Sequence, residues 1–232
     1  MKEQVSAIVL AAGQGKRMNS QVQKQFMLLQ NKPVLYYSLK CFQECEEIQR
    51  IILVTGENEI EYCKKDIVDA YGFDKVTNVV AGGKERYDSV EQGLHCIEDG
   101  IVLIHDGARP FVTRDMILRS IEATRESGAC TVGMPVKDTI KVVNEEGYGI
   151  QTPDRKTLWQ IQTPQTFRVP VIKEAYVKMR SAEAVTITDD TMLVEYFSSI
   201  RAKVIEGDYC NIKITTPEDM VLAEAFLRQK QG

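Results

Sequence analysis

The chain has 232 residues and a formal net charge of −4 at pH 7, and hydrophobic residues make up 44% of it. This balance is typical of a globular protein with a buried core, and the acidic charge argues against a general nucleic-acid partner. No apolar run approaches the ~20 residues of a membrane helix, and no basic stretch leads into one at the start, so we expect no membrane span, no secretory signal and a cytoplasmic protein.

Cysteine and histidine usage limits the metal sites that the sequence could form. The six cysteines form no C-x-x-C pair, so we expect reduced thiols packed as small apolar groups, which fits a reducing compartment. His95 and His105 are the two histidines of the sequence, which excludes a metal site built from several histidines.

The first part of the chain alternates between short apolar runs and amphipathic stretches. The apolar runs predict buried strands at residues 5–10, 48–54, 77–81, 101–104 and 129–136. The stretches between them predict helices at residues 33–42, 59–71, 89–97 and 114–126. Strands that are apolar throughout are buried on both faces, so we predict a Rossmann-like α/β fold with a mainly parallel sheet flanked by helices.

The alternation is then interrupted. Residues 139–143 and 157–162 are short strand-like runs around a polar turn at 144–149, which predicts an inserted β-hairpin. A lone hairpin is marginal in water and needs a partner, for which a second copy of the chain would serve. Helices at 171–179 and 191–197, a strand at 203–205 and a last helix through Leu227 complete the chain. We predict a single domain over residues 1–232, with a protruding β-arm at about 137–162.

Three loops follow predicted strands, at residues 11–17, 82–89 and 105–110, where α/β sheets bind ligands. The first reads A-A-G-Q-G-K-R-M from residue 11, and its glycines let backbone N–H groups approach phosphate. Arg17 and Lys24 would add cationic donors. The spacing does not fit a Walker A loop, and Met18 occupies the third small position of the dinucleotide fingerprint, so we predict a phosphate-binding loop of neither class.

The other two loops suggest a nucleotide with a metal ion. Asp106 ends an apolar strand and is placed to hold Mg²⁺ against a triphosphate, although a turn-capping aspartate would look the same. Arg109 could grip an anion or form a surface ion pair. Gly82 and Gly83 allow close approach of a base or ribose, and Ser89 would cap its helix or bond to the base. The residues thus predict a nucleotide or phosphorylated small molecule, without naming the base or the reaction.

Several polar residues have ordinary structural explanations when taken alone. Lys213 reads as a solvated lysine, and Arg155 would be idle in a monomer unless the arm reaches a neighbouring site. Thr139, Thr163 and Thr188 lie near loop or hairpin ends, where hydroxyl groups usually satisfy local backbone.

Taken in order, the motifs resemble those of the 2-C-methyl-D-erythritol 4-phosphate cytidylyltransferase family. They are A-A-G-x-G-x-R-M from residue 11, K-Q-F from 24, G-G-x-x-R-x-x-S from 82, H-D-x-A-R-P-F from 105, P-V-K-D-T-I from 135, D-R from 154, Q-T-P-Q from 162, T-D-D from 188 and N-I-K from 211. The first motif alone would indicate only a sugar-nucleotide pyrophosphorylase-like fold. The 137–139 and 154–155 segments narrow the resemblance to this family.

The resemblance implies transfer of a cytidylyl group from CTP to 2-C-methyl-D-erythritol 4-phosphate, with Mg²⁺ or another divalent cation. It implies nucleotide contacts from Ala11, Ala12 and Gly13, cytosine contacts from Gly83 and Ser89, transition-state stabilisation by Arg17 and Lys24, and a metal and substrate role for Asp106. It further implies that Arg155 and Lys213 position the acceptor, and that Thr139, Arg109, Thr163 and Thr188 line its pocket. The family's arm pairs in a homodimer, so Thr139 and Arg155 would serve the neighbouring subunit's site.

One departure and three alternatives remain open at this stage. Gln23 stands where proline is common in the wider pyrophosphorylase group, and we expect it to loosen the loop that presents Lys24. Ribitol-5-phosphate cytidylyltransferase shares the CTP chemistry, but the segments at 137–139 and 155 favour methylerythritol phosphate. The presence of Arg17, Lys24, Asp106 and Lys213 together argues against a non-catalytic nucleotide-binding regulatory module, which needs no transition-state cations. An NAD-dependent oxidoreductase is disfavoured by Met18.

Overall fold

The structure is a computed structural model that describes residues 3–13, 22–182 and 186–231. Arg17, which the sequence singles out as a catalytic residue, and Met18 lie outside these described residues. Among the helices of the described ranges, none is both long enough and apolar enough to cross a bilayer.

A twisted sheet with helices on both faces organises the described residues. Its strands, together with two short pairs outside the sheet, are β1 (Val5–Ala11), β2 (Leu28–Leu29), β3 (Lys32–Pro33), β4 (Arg50–Thr55), β5 (Val76–Ala81), β6 (Ile101–Asp106), β7 (Ala129–Pro135), β8 (Val142–Val143), β9 (Gly149–Gln151), β10 (Trp159–Arg168) and β11 (Lys203–Glu206). The helices are α1 (Val34–Glu44), α2 (Ile60–Tyr62), α3 (Arg86–Leu94), α4 (Arg114–Ser127), α5 (Val169–Ser181), α6 (Asp190–Phe197) and α7 (Pro217–Gln231).

The sheet has the strand order β11-β7-β10-β6-β1-β4-β5, and β10 is antiparallel to both of its neighbours. The other neighbouring strands run parallel, so the predicted mainly parallel α/β sheet is confirmed. From β1 the chain first builds outward through β4 and β5 and then returns to place β6 on the other side of β1. This reversal opens a crevice beyond the carboxyl ends of β1 and β6, where open α/β sheets bind ligands.

Alternating side chains of β1 divide the core between the two faces of the sheet. Ala7 and Val9 pack in one apolar cluster with residues of α1 and α4. Ile8 packs in another cluster with residues of α3, α5 and α6. Because successive strand residues point to opposite faces, a strand covered on both faces is mostly apolar, as the 5–10 run predicted, and the small Ser6 is the one buried polar residue of β1.

The helices begin and end where local chemistry requires it. Thr113 caps α4 by accepting a hydrogen bond from the Met116 amide, and Gly128 ends the helix at a φ of +83°. Glu85 and Asp88 form a capping box that starts α3 at Arg86, ahead of the predicted start at residue 89. The predicted helix at 59–71 is less regular than expected, because α2 lies between a 3₁₀ turn at Glu57–Glu59 and a π-helical segment at Cys63–Asp69.

The inserted arm is smaller than the sequence predicted. Its hairpin pairs β8 with β9 across a turn at residues 144–148. The run at 157–162, predicted as the second limb of the hairpin, instead begins β10 and pairs with β7 in the main sheet, with Trp159 opposite Pro135. A short alternating run fits either role, and a long-range strand pairing cannot be recognised from local pattern.

Candidate functional site

A cavity of about 570 Å³ lies at the crevice beyond β1 and β6. Eight of the residues singled out by the sequence line it, namely Ala11, Ala12, Gly13, Lys24, Gly83, Ser89, Asp106 and Lys213. Leu10, Gln25, Lys84, Glu85, Arg86 and Ala108 complete the lining. The sequence predicted that three loops at the carboxyl ends of strands would form one ligand site. The fold brings residues of the first two loops and Asp106 of the third to one cavity.

Three cationic side chains surround the Asp106 carboxylate in the cavity wall. Its Oδ2 atom lies 2.7 Å from Lys213 Nζ and 3.9 Å from Arg109 Nε, and its Oδ1 atom lies 3.3 Å from Arg86 Nε. Burial acts to raise the pKa of this carboxyl, but the cations Arg86, Lys213 and Arg109 outweigh burial and hold the pKa well below its ordinary value. Asp106 is thus a fixed negative charge over the working pH range of proteins.

Arg86 connects Asp106 to a second buried carboxylate. Its Nη1 atom lies 2.7 Å from Asp190 Oδ2, and the Tyr176 hydroxyl donates a hydrogen bond of 3.1 Å to Asp190 Oδ1. Burial alone would lower the pKa of Arg86, but Asp190 and Asp106 raise it above its ordinary value. Sequence reasoning gave neither Arg86 nor Asp190 a role, although both stand in the quoted motifs G-G-x-x-R-x-x-S and T-D-D.

A buried hydrogen-bond chain positions the backbone next to Asp106. The carbonyl of Arg109 can only accept, so His105 Nε2 carries the proton and donates to it at 3.1 Å. His105 Nδ1 therefore accepts from the Thr163 hydroxyl at 3.0 Å, and that hydroxyl in turn accepts from the Asp106 amide at 3.1 Å. Burial lowers the pKa of His105 to about 4, which keeps the ring neutral. Thr163 thus supports Asp106 from behind and is absent from the cavity lining.

Arg109 and Asn211 hold the segment that carries Lys213. Arg109 Nη1 donates to the Asn211 carbonyl at 2.8 Å, and the buried Asn211 side chain donates to the Thr163 carbonyl at 3.0 Å. The Ile214 amide donates to the Ala108 carbonyl at 2.9 Å. These bonds fix both ends of the lysine's short segment against β10 and the loop that follows β6, which directs Lys213 toward Asp106. Arg109 itself does not line the cavity.

The glycine pair after β5 is required by close packing. A Cβ atom at Gly82 would lie 2.6 Å from the Ala12 Cβ atom, and a Cβ atom at Gly83 would lie 2.3 Å from the Asp88 Cβ atom. The Ser89 hydroxyl accepts from the Gly83 amide and donates to the Glu85 carbonyl, each at 3.2 Å. Ser89 therefore fixes the loop at the cavity wall and is not the helix cap that its position suggested.

Three further predicted site residues, besides Thr163 and Arg109, are absent from this cavity within one chain. Thr139 is exposed on the arm, and Arg155 Nη1 donates to the Lys137 carbonyl at 2.7 Å. Thr188 contacts the Met192 sulfur at 3.4 Å. None of the three lines the cavity. Within the described ranges, no group of three or more histidine, cysteine, aspartate or glutamate side chains is arranged to hold a metal ion.

Comparison with known proteins gives consistent matches along the chain. The family model described as IspD, 2-C-methyl-D-erythritol 4-phosphate cytidylyltransferase, matches residues 5–229. A protein of that name from Lachnospira eligens is 52% identical over 225 residues, which cover 96% of this chain and 99% of the relative. A protein of the same name from Lachnoclostridium phytofermentans is 51% identical over 230 residues, which cover 99% of this chain and 98% of the relative. The crystal structure of 4-diphosphocytidyl-2C-methyl-D-erythritol synthase from Anaerococcus prevotii aligns with a TM-score of 0.85 at 35% identity, over 97% of this chain and 96% of that one.

Proposed function

This chain belongs to the 2-C-methyl-D-erythritol 4-phosphate cytidylyltransferase family, and we propose that the cavity beyond β1 and β6 is its active site. The chain transfers a cytidylyl group from CTP to 2-C-methyl-D-erythritol 4-phosphate in isoprenoid precursor biosynthesis. The products are 4-diphosphocytidyl-2-C-methyl-D-erythritol and pyrophosphate. Neither the family model nor the relatives favour a ribitol-5-phosphate enzyme or a non-catalytic regulatory module.

The glycine-containing loops of the cavity are suited to the nucleotide. Ala11 ends β1 and Ala12 and Gly13 follow it directly, and backbone N–H groups at such a turn can meet phosphate oxygens at close range. Gly83 and Ser89 line the same cavity, so the cytosine and ribose would lie between the two loops. This placement supports the assignment of Ala11, Ala12, Gly13, Gly83 and Ser89 to CTP.

The cations of the cavity suit the charge problem of the reaction. A phosphate oxygen of the acceptor attacks the α-phosphorus of CTP, forming one P–O bond while the bond to pyrophosphate breaks. The nucleophile is already an anion, so no general base is required, and fixed cations must offset the crowding of negative charge. Lys24 and Lys213 line the cavity, which supports transition-state stabilisation by Lys24 and acceptor positioning by Lys213. We assign Arg17 a role like that of Lys24 from the family motif alone.

The proposal depends chiefly on the ionised Asp106 carboxylate in the cavity lining. Mg²⁺ in nucleotide sites is often held by one or two carboxylates together with phosphate oxygens and water, so a single ionised aspartate fits a metal delivered with CTP. Asp106 would hold the ion, and the ion would neutralise phosphate charge as pyrophosphate leaves. The low pKa of Asp106 keeps the carboxylate ionised for this task. The divalent ion is therefore part of the proposal, with Asp106 as its protein ligand.

The exposed arm supports a homodimer. Large apolar side chains lie open to solvent along it, including Val143, Tyr148 and Ile150, each more than half exposed. An apolar surface of this kind on a short hairpin is typical of an interface. We propose that two arms pair, and that Thr139 and Arg155 complete the acceptor pocket of the neighbouring subunit. The six cysteines are free thiols, which supports a place in the reducing cytoplasm.

Pyrophosphate release from CTP and Mg²⁺ tests this function directly. We expect release with 2-C-methyl-D-erythritol 4-phosphate and none with ribitol 5-phosphate. Release with ribitol 5-phosphate alone would overturn the acceptor while leaving the CTP site in place. CTP binding without release from either acceptor would overturn catalysis and favour a regulatory module.

A further inference from the structure

A buried glutamine joins the two parts of the active site on either side of residues 14–21. Gln25 is 2% exposed, and its Nε2 atom lies 2.5 Å from the Ala11 carbonyl oxygen and 3.2 Å from that of Gly13. Ala11 ends β1, and Gly13 belongs to the loop that would contact the nucleotide. Gln25 itself stands in the 3₁₀ turn Lys24–Phe26. One side chain therefore bonds the nucleotide loop to the turn that presents Lys24.

A second glutamine and a glutamate fix the orientation of this amide. The Glu59 carboxylate can only accept, so Gln23 Nε2 faces it and donates at 2.8 Å. Gln23 Oε1 is then the atom that faces Gln25, and it accepts from Gln25 Nε2 at 2.5 Å. The carbonyls of Ala11 and Gly13 also only accept. All the groups around Gln25 Nε2 are thus acceptors, and the amide group cannot be turned over without losing its bonds.

The surroundings of Glu59 are adapted to this arrangement. A Cβ atom at Gly56 would lie 1.9 Å from Glu59 Oε2, so the glycine leaves room for the carboxylate to fold back. Phe26 packs edge-to-face on Tyr62 with ring centroids 5.2 Å apart, which seats the 3₁₀ turn on the segment after β4. Gln23 has a φ of −62°, the value that proline would impose. The Gln23 side chain is thus anchored and its backbone follows a proline-like course, which restrains the turn although residue 23 is not proline.

We propose that Gln25 is a positioning residue for cytidylyl transfer, with Gln23 and Glu59 as the groups that orient it. Its amide sets the position of Lys24 relative to the loop at residues 11–13. The inference rests on the proposed function, because it takes Lys24 to act on the reacting phosphates. A cation that acts by electrostatic preorganisation must be held in place, so loss of the bond lowers turnover even when the fold remains intact.

Two substitutions at Gln25 separate positioning from simple packing. Gln25→Leu keeps the volume and removes the donor, and we expect kcat to fall at least tenfold at every pH. Gln25→Glu places a carboxylate against carbonyl oxygens, which is unfavourable while it is ionised and relieved when the acid protonates and can donate. We expect kcat of this variant, relative to the wild type at the same pH, to rise severalfold between pH 8 and pH 6. A merely structural role predicts no such pH-dependent recovery.

Gln49, an exposed glutamine, provides a control for the loss of a glutamine bond at the opposite end of the same strand. Its Oε1 atom accepts from the Val5 amide at 2.6 Å, so Gln49→Leu removes a glutamine bond from β1 far from the cavity. We expect this variant to lose stability and keep kcat within twofold of the wild type. Gln23→Leu, at a half-buried position with little risk to folding, should lower kcat severalfold because the amide of Gln25 loses one acceptor.

The measurement is steady-state pyrophosphate release by the whole chain with CTP, Mg²⁺ and methylerythritol phosphate, with circular dichroism to verify folding. Wild-type kcat in folded Gln25→Leu, or a loss in Gln49→Leu equal to that in Gln25→Leu, would overturn the proposal. A ratio of Gln25→Glu to wild type that stays constant while the introduced carboxyl protonates would also overturn it. Failure of the proposed function is distinguishable, because the wild type itself would then release no pyrophosphate.

Discussion

Lys213 Nζ lies 2.7 Å from Asp106 Oδ2, so the end of β6 and the segment before α7 share one charged contact in the cavity. Arg86 approaches the other carboxylate oxygen at 3.3 Å. A carboxylate with cations on both sides stays ionised and keeps one orientation. The pair therefore holds an ionised carboxylate and a lysine side by side in the cavity wall.

Asp106→Asn should lower kcat by at least 100-fold with the fold intact. The amide cannot replace the negative charge that would hold the metal ion, and a preorganised charge at such a site is worth roughly 3–4 kcal/mol. Pyrophosphate release measures the loss. Asp115→Asn is the control, since Asp115 is an exposed partner of Arg119 at 2.8 Å and should retain full activity. Equal activity in both folded variants would contradict the role of Asp106.

Lys24→Ala and Arg17→Ala should each lower kcat by at least two decades, about the effect of one preorganised donor. Lys24 lines the cavity, and Arg17 lies outside the described residues and is included on its motif position. Lys64→Ala, at an exposed lysine paired with Glu61, is the charge-matched control. A near-normal kcat in either folded variant would remove that residue from the catalytic set.

Arg86→Ala should lower the free energy of unfolding by about 3–5 kcal/mol, because it leaves the Asp190 carboxylate buried without its cation. Urea denaturation without ligands measures the change. Arg119→Ala removes an arginine from an exposed pair and should cost less than about 1 kcal/mol. A loss at Arg86 no larger than at Arg119 would show that Asp190 is accommodated without the pair.

The sequence predicts the parallel part of this fold well because its information is local. Apolar runs covered on both faces and a glycine at the end of α4 can be read directly from residue order. The antiparallel strand β10 could not be recognised, because its first residues alternate like an arm limb and its place depends on pairing with β7. A choice between two distant partners is a property of the whole sheet.

The candidate site likewise has a part that local sequence predicts and a part that depends on long-range contacts. Residues at strand ends, such as Asp106 and Gly83, were predicted to lie together because topology brings those ends together, and both line the cavity. The contacts of Arg86, Asn211 and Gln25 could not be predicted, because each side chain or carbonyl bonds to a partner that is distant in sequence. The partners include Asp190 for Arg86 and the Arg109 side chain for Asn211. A hydrogen bond of this kind leaves no spacing that a motif could reveal.

Stability should depend on pH through His105. Its pKa is about 4 in the folded chain against an ordinary value of 6.5, so the unfolded chain binds the additional proton between these values. Stability therefore rises with pH across this window and levels off above it. We expect about 2 kcal/mol of this gain between pH 5 and pH 7.

Urea denaturation of the wild type and of His105→Gln, without CTP or metal, isolates this contribution. Other titrating groups contribute equally to both proteins, so the difference between their free energies of unfolding should grow from pH 5 to pH 7. A difference that stays constant across this range would show that His105 does not resist protonation in the folded chain.

Mixed dimers test whether the arm serves the neighbouring site. If Arg155 acts on the partner subunit, a dimer of one Lys24→Ala chain and one Arg155→Ala chain contains one fully intact site. That site consists of the cavity of the Arg155→Ala chain, which keeps Lys24, and the arm of the Lys24→Ala chain, which keeps Arg155. Random pairing of equal amounts should then recover about a quarter of wild-type activity from two inactive parents.

The control mixes Lys24→Ala with Lys213→Ala, whose substitutions both lie in the body that lines the cavity. Each site of such a mixed dimer lacks one lysine when both act in their own chain, so no activity should return. Co-expression with two affinity tags isolates the mixed dimers, and pyrophosphate release measures the recovery. Inactive Lys24–Arg155 mixtures of dimeric mass would show that the arm does not complete the neighbouring site, because their chains would each lack one residue of their own site.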